Sequence, residues 1–593
     1  MHTSQMCGIY GEYRFDNEAP SMPLAEKALQ KIAPRGPDDQ GCFIYNSLLL
    51  GHRRLRIVDL SDRGLQPLID SALGLAIVFN GMIYNYKELR ITLEKAGYMF
   101  FSDSDTEIIP KAYDYWGEDF VHKLNGMFAF AIWERESGKL VLGRDRLGIK
   151  PLYYSTTQKR LIFSSFLPAL LVDKSIDASL SLEALHYYMT FHSVVPDPLT
   201  IFNGIARVPP GSLIVFDKHG KSTTKSYWKP IFNRSEETYS LSEFREQLSH
   251  MLLKAVQRRM VADVPVGVLL SGGLDSSLIV GLLAKLNQSD LHTYSVGFES
   301  LEHEHGDEFI YSDRIAQEFG TRHHQIRVST DKIVSNLQFC VRAMAEPMVS
   351  HDNIGFFLLA EDVSKSIKVV QCGQGADELF AGYSWYPPLV SSTSPITDYS
   401  RLFFDRNQLE MKETLTDPWV SKNYSLDFVE KYFSQPGATS PVDQALRIDT
   451  CVMLPNDPVK RVDCMTMAWG LEARVPFLDH ELVELAAQIP PEYKLRNGGK
   501  YILKEVARDL IPSDVIDRPK GYFPVPALKY LKGEVLELVR DTLLSRKCRG
   551  RNIYRSEYVE QLLADPNSHI TPLGGSKLWQ LALLEIWLQE HQI

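Results

Sequence analysis

Cys7 stands directly behind Met6 and ahead of Gly8 and Ile9. If translation starts at Met6, or if residues 1 to 6 are trimmed, the chain opens on a cysteine that carries its own α-amine. Such an amine titrates near pH 8, so at neutral pH a useful fraction is uncharged and can take the proton of the adjacent thiol. One residue then holds both nucleophile and base. The bland alternative is a buried structural cysteine, the commoner fate of a single Cys.

A second group could bind an anion. Ser271-Gly272-Gly273-Leu274-Asp275-Ser276-Ser277 follows the apolar run Val264 to Leu270 and precedes a helical pattern. Glycines admit a close backbone approach, successive N–H groups point inward, and serine hydroxyls with a helix N-terminus add donors. That is a pyrophosphate cradle. It is not a Walker A loop, because no Gly-Lys-Ser/Thr follows at the required spacing. A Gly/Ser turn capping a helix through Asp275 explains a lone glycine pair but not seven residues in this setting.

The elements that must position these groups fall into two textures. Up to about residue 215 the segments are short, β-rich and punctuated by turns: Cys42 to Leu60, Leu75 to Phe79, Met127 to Trp133 and Lys139 to Arg144. Phe128–Trp133 with Lys139–Arg144 reads as a hairpin, and Ser212–Phe216 with Thr223–Trp228 as another. Lys229 to Ser240 is polar and reads as a linker. Beyond it come an amphipathic helix (Leu241 to Met260), a strand (Val264 to Leu270), a helix from Ser276, a strand (Thr293 to Phe298) and a strand (Ile367 to Gln371) that ends in another Gly-rich loop. Strand, loop and helix in alternation predict a parallel α/β sheet with ligands at the carboxyl ends of the strands.

Composition narrows the function. At 593 residues the chain exceeds a single core and must divide into domains. Charged residues make up 23% and hydrophobic ones 44%, as in an ordinary globular protein. The net charge of -10, without a long basic run, argues against a nucleic-acid surface and points to small-molecule partners. Seven cysteines without paired or metal-ligand spacing suggest a reducing compartment. No apolar stretch reaches about 18 residues and the first 30 residues lack a signal-peptide core, so a cytosolic protein with no membrane partner is expected.

The heptapeptide at 271–277 resembles the PP-loop of ATP pyrophosphatases, and Cys-Gly-Ile resembles the start of class II (Ntn-type) glutamine amidotransferases. Their combination is similar to the glutamine-dependent asparagine synthetases. The likeness extends through Arg35-Gly36-Pro37-Asp38, His52 to Asp59, Phe79-Asn80-Gly81, Arg144 to Tyr154 and Gly470 to Asp479. It implies two domains, α+β then α/β. These are an N-terminal αββα sandwich over 7–215 as glutaminase, a linker over 216–240, and a parallel PP-loop domain over 241–593 for ATP-dependent amidation. It leaves room for a homodimer. Carried over residue by residue, it implies Cys7 as nucleophile and Asn80 and Gly81 as oxyanion donors that also bind glutamine. Arg54 clamps the glutamine carboxylate and Asp105 pairs with its ammonium.

In the second domain the likeness implies ATP binding by Leu270, Ser271, Gly272, Gly273, Asp275, Ser276, Ser277, Val296 and Gly373. Asp275 and Asp377 would hold Mg²⁺ on the phosphates, and Lys500 would stabilise charge during adenylate formation. Glu308 and Arg474 are read as structural. Two departures stand out. Asn80-Gly81-Met82 replaces the usual Asn-Gly-Glu, removing one carboxylate near the glutamine ammonium. Cys372-Gly373-Gln374-Gly375-Ala376-Asp377-Glu378 replaces Ser-Gly-Glu-Gly-Ser-Asp-Glu, so the acceptor pocket loses the carboxylate placed to meet an amino acid's α-amine.

An amine-blocked acceptor needs no such carboxylate. Gly306-Asp307-Glu308-Phe309, the run Glu346 to Asp352 and the run Gly382 to Pro388 resemble the bacterial N-acetylglutaminylglutamine amidotransferases, which amidate the C-terminal carboxylate of a blocked dipeptide to make a compatible solute. Gln374 and His351 are then acceptor-pocket residues, and Trp385 a further candidate for which core packing is favoured. Three readings stay open: the blocked-dipeptide amidotransferase, an asparagine synthetase, and a non-catalytic homologue if Cys7 stays masked.

Overall fold

The computed structural model describes residues 7–593 apart from 37, 235–238, 300–305, 520, 522–524, 526–527 and 529. Met6, Pro37 and the middle of the expected linker therefore lie outside the described residues.

Two antiparallel sheets, six-stranded among the described residues, build the N-terminal unit. Period-two alternation decides how they stack. Ile9, Leu48, Leu50, Ala76, Val78, Ala129 and Ala131 form one buried layer drawn from both sheets. The intervening Tyr10, Leu49, Ile77, Phe79, Phe128 and Phe130 belong to a different cluster, with helical Leu89, Leu93, Ile108 and Ala112. With both faces covered, strand Gly126–Glu134 is buried along nearly its whole length. This is the αββα sandwich.

The hairpins take the expected register. Trp133 pairs with Leu140 and Ala129 with Arg144, and Ser212 pairs with Ser226. The run from Cys42 to Leu60 is not one segment. It folds into Asp39–Tyr45 and Leu48–Arg54 around Asn46, whose φ of 49° is a turn conformation that asparagine tolerates. Residues 216–240 are not all linker either, because Ser222–Ser226 forms the edge strand of the second sheet.

The C-terminal unit centres on a five-stranded sheet in the order Arg322–Val328, His292–Phe298, Val266–Leu269, Val369–Gln371, Glu472–Arg474, with all neighbours parallel. The order reverses direction between Val266–Leu269 and Val369–Gln371, a topological switch point where α/β sheets open a ligand crevice. Helix Leu274–Lys285 leaves this crevice and is apolar and buried along most of its length.

The two units share an interior. Helix Leu182–Thr190, assigned by sequence to the N-terminal domain, sends Ala184 and Tyr187 into a cluster with Trp385, Tyr386 and Phe403. The Tyr188 hydroxyl donates to Gln580 O at 2.7 Å. Buried from Ala184 onward, this helix has no solvent face and must pack on both units. Asp463 accepts from Arg35 at 2.9 Å and Lys150 at 3.2 Å, all three buried. Among the described residues no helix is long and apolar enough to cross a membrane.

Candidate functional site

The first cavity grows from strand register. Gly8 pairs with Arg53, so Cys7 emerges beside Arg54 and Leu55. Leu55 N–H donates to Cys7 Sγ at 3.3 Å. Burial pushes the thiol up to about 12. A thiol held that high does not ionise alone at neutral pH and needs a proton acceptor.

The lining is Cys7, Arg54, Leu55, Ile57, Val58, Gly64, Gln66, Phe79, Gly81, Met82, Ser104, Asp105, Thr106 and Glu472. Among the described residues it offers no histidine. His52 is buried elsewhere with Nε2 against Phe79 O at 3.1 Å, and desolvation depresses its pKa to about 3. The buried Arg54 is held by loop carbonyls, donating to Ser61 O at 2.9 Å and also to Asp59 O. Gly81 has φ +153°, and a Cβ there would fall 2.1 Å from Met127 O, so only glycine fits.

Asn80 is buried outside the lining and donates Nδ2 to Ser165 Oγ at 3.3 Å; the same hydroxyl accepts Ile9 N–H at 3.1 Å. Asp105 accepts Ile83 N–H at 2.9 Å, and burial raises its carboxyl to about 7. The cavity encloses about 30 Å³. Admitting a glutamine requires the surrounding side chains to shift.

The second cavity, about 480 Å³, lies at the switch point. Its lining gathers Leu270, Ser271, Gly273, Asp275, Ser276, Val296, Gly373, Gln374, Asp377 and Lys500, spread over some 230 positions of chain. Gly272 (φ +74°) and the buried Ser277 belong to the same loop but not to the lining. The loop is organised by its own hydroxyls: Ser271 N–H donates to Ser276 Oγ at 3.2 Å and Gly273 N–H to Ser271 Oγ at 3.3 Å. Lys500 Nζ lies 2.7 Å from Asp275 Oδ2 and 2.9 Å from Asp377 Oδ1. Burial alone favours a neutral amine, but the two carboxylates outweigh it and raise the lysine pKa.

Asp275 and Asp377 thus share one cation, with hard oxygen donors in the first turns of helices Leu274–Lys285 and Ala376–Phe380. Among the described residues no group of three or more His, Cys, Asp or Glu could hold a metal ion. The donor set suits Mg²⁺, which takes one or two carboxylates and completes its shell with water and phosphate oxygens.

Two predicted acceptor residues part company. Gln374 lines the cavity, whereas His351 does not and its neighbour Asp352 does. Trp385 is buried, its indole N–H donating to Asp449 Oδ2 at 2.9 Å, which is the core role favoured for it.

Two further carboxylates border the cavities: Glu308, which the sequence reading named as structural, and Glu472, which it did not single out. Glu308 borders the ATP-type cavity and accepts both Arg518 nitrogens at 2.9 Å, with Arg518 stacked on Tyr311. Glu472 closes the Cys7 cavity from the other unit. No local pattern marks either pair, since Glu308–Arg518 and Cys7–Glu472 meet only through the fold. The available signals were Glu308's place in the matching Gly306-Asp307-Glu308-Phe309 phrase and Glu472's place inside the matching Gly470 to Asp479 segment.

A cysteine cavity in an αββα sandwich and a Gly/Ser-rich cradle at the switch point of a parallel sheet stand in one two-domain α/β chain. A family profile described as "Asparagine synthase" matches residues 247–589, and one described as "Glutamine amidotransferase domain" matches 6–228. Asparagine synthetase [glutamine-hydrolyzing] 1 of Bacillus subtilis is 32% identical, covering 98% of this chain and 96% of that protein. Asparagine synthetase [glutamine-hydrolyzing] 3 of the same organism is 31% identical, covering 99% of each. The amidase chry2 of Gibberella zeae is 27% identical over 84% of each. The chain belongs to the asparagine synthase family, whose glutamine-hydrolysing members are carbon–nitrogen ligases.

Proposed function

We propose that this chain amidates the carboxylate of an amine-blocked small molecule, most specifically the C-terminal carboxylate of N-acetylglutaminylglutamine, using glutamine and ATP. The observation that carries the acceptor is Gln374: it lines the cavity with Lys500 and Asp377, where the resembled synthetases place a glutamate to meet a free α-amine. An uncharged amide at 374 offers a substrate ammonium no ion-pair partner at that position, and burying an unpaired charge is costly.

Residues 7–215 serve as the glutaminase and 241–593 as the amidation domain. The α-amine of an unmasked Cys7 takes the thiol proton. The thiolate attacks the glutamine side-chain amide, Asn80 and Gly81 N–H stabilise the oxyanion, ammonia leaves, and water releases glutamate from the thioester. Arg54 and Asp105 orient the substrate through its carboxylate and ammonium. In the second cavity residues 270–277, Val296 and Gly373 hold ATP, and Lys500 neutralises charge as the acceptor carboxylate attacks the α-phosphorus and pyrophosphate leaves. Asp275 and Asp377 would hold Mg²⁺, which would supply charge neutralisation on the phosphates. Ammonia displaces AMP from the acyl-adenylate.

The test offers aspartate and N-acetylglutaminylglutamine in parallel to protein beginning at Cys7, with ATP, Mg²⁺ and glutamine. AMP and amidated products are read by mass spectrometry. Amidated dipeptide without asparagine is the expected result; asparagine instead overturns the acceptor assignment.

A further inference from the structure

Glu472 is an outlier in the cavity around Cys7. Every other lining residue comes from positions 7 to 106, whereas Glu472 begins strand Glu472–Arg474 at the edge of the parallel sheet. It is buried and its position is fixed: its N–H donates to Lys368 O at 2.8 Å, and its Oε1 accepts Arg474 Nε at 2.7 Å. Arg474 is locked in turn by donating to Arg259 O and Val261 O at 2.9 and 2.8 Å.

This carboxylate lies toward Asp105. Asp105 accepts Ile83 N–H, and the next residue, Tyr84, has its ring against the guanidinium groups of Arg259 and Arg474. Asp105, Tyr84, Arg474 and Glu472 therefore form one contiguous patch across the two units. The negative charge of Glu472 is felt at both Asp105 and Cys7. In the same cavity Met82 occupies the position where the resembled family carries glutamate.

We propose that Glu472 completes the glutamine site by supplying the second carboxylate that faces the substrate α-ammonium, in place of the side chain lost at Met82. This rests on the reading of Asp105 as the first ammonium partner. The glutaminase specificity pocket is then finished by the amidation domain, so glutamine is selected only where the two units are docked. A cation between two buried carboxylates relieves their mutual repulsion, whereas a substrate without the amine leaves it in place.

The experiment compares glutamine with glutaramate, which keeps the carboxylate and the amide but lacks the α-amine. Substrates are offered to full-length protein starting at Cys7 as wild type, Glu472→Gln, Asp105→Asn and Glu472→Gln with Met82→Glu. Ammonia-dependent amidation serves as the folding control, since it bypasses this cavity. Glu472→Gln is expected to raise KM for glutamine about 10-fold or more, with glutaramate hydrolysis unchanged, as for loss of a charge-assisted contact. Met82→Glu should restore most of the loss. If Asp105→Asn weakens glutamine selectively but Glu472→Gln does not, the inference falls and the site reading stands. If neither variant changes the preference for glutamine over glutaramate, the site reading falls and the inference with it. Equal slowing of both substrates, or a change only in glutamate produced per amide, also overturns the proposal.

Discussion

Lys500 Nζ sits 2.7 Å from Asp275 Oδ2, joining residues 225 positions apart, and also contacts Asp377. The lysine comes from the start of helix Tyr501–Ala507 in a left-handed conformation, φ 54°. Its ammonium is therefore held at the mouth of the 271–277 loop before any substrate arrives, so little reorganisation accompanies catalysis. Lys500→Met should lower acceptor-dependent pyrophosphate release by roughly 10²- to 10³-fold, the size associated with removal of one preorganised charge or donor. Glutamate release from glutamine should persist. Parallel pyrophosphate and glutamate assays separate the two.

Cys7 has its thiol pushed up by burial and, among the described residues, no histidine in its cavity. Cys7→Ala should abolish glutamine-dependent amidation while leaving ammonia-dependent amidation within about twofold, since the ATP-type cavity is untouched. A variant retaining residues 1–6 should be as inactive on glutamine as Cys7→Ala, because a peptide bond removes the basic amine. Intact-mass measurement beside the glutaminase assay checks this.

Asp105 gives the proposed glutamine site a pH dependence. Burial raises its carboxyl to about 7 from an ordinary 3.8, so the free protein carries it largely neutral below pH 7. Pairing with an ammonium requires the ionised form. The Kd for glutamine, measured by calorimetry on Cys7→Ala, should therefore rise as pH falls below about 7, approaching tenfold per unit. Asp105→Asn should bind weakly at all pH values.

The stability sign follows from the same shift. A raised folded pKa contributes stability below 3.8 that is lost as pH climbs through about 7. Asp105→Asn should thus gain in Tm relative to wild type near pH 8, with the difference shrinking toward pH 4. Scanning calorimetry at both ends reads the sign.

Asp463 joins the two units by accepting from Arg35 and Lys150, with all three side chains buried. Asp463→Ala strands two cations, and breaking a buried pair costs about 3–5 kcal/mol. The expected outcome is a lower Tm together with more than one glutamate released per amide formed, as the cavities lose register. A variant with unchanged Tm and unchanged stoichiometry would remove Asp463 from this role.

Much of the architecture was legible because it rests on local rules. Short β-rich segments punctuated by turns marked the sandwich strands, and the switch to strand–loop–helix marked the parallel sheet. The 271–277 loop announced its own geometry, since its glycines and serines satisfy one another within seven residues. What was misread depended on context. Residues 222–226 carry two readings, hairpin strand and part of the 216–240 linker, because an edge strand of exposed Ser, Thr and Lys needs no apolar face. Helix Leu182–Thr190 could not be assigned to one unit because it is buried by both.

The sequence by itself determined the chemistry: a cysteine able to carry its own base, a cradle for phosphates, and the glutamine at position 374 that sets the acceptor question. Only the tertiary structure decided which groups meet. Glu472 reaches Cys7 and Arg518 reaches Glu308 across hundreds of residues, and His351 gives way to Asp352 at the cavity wall. Residue types and their near neighbours are written in the chain, whereas contacts between distant charged side chains exist only once sheet order and strand register bring their backbones together.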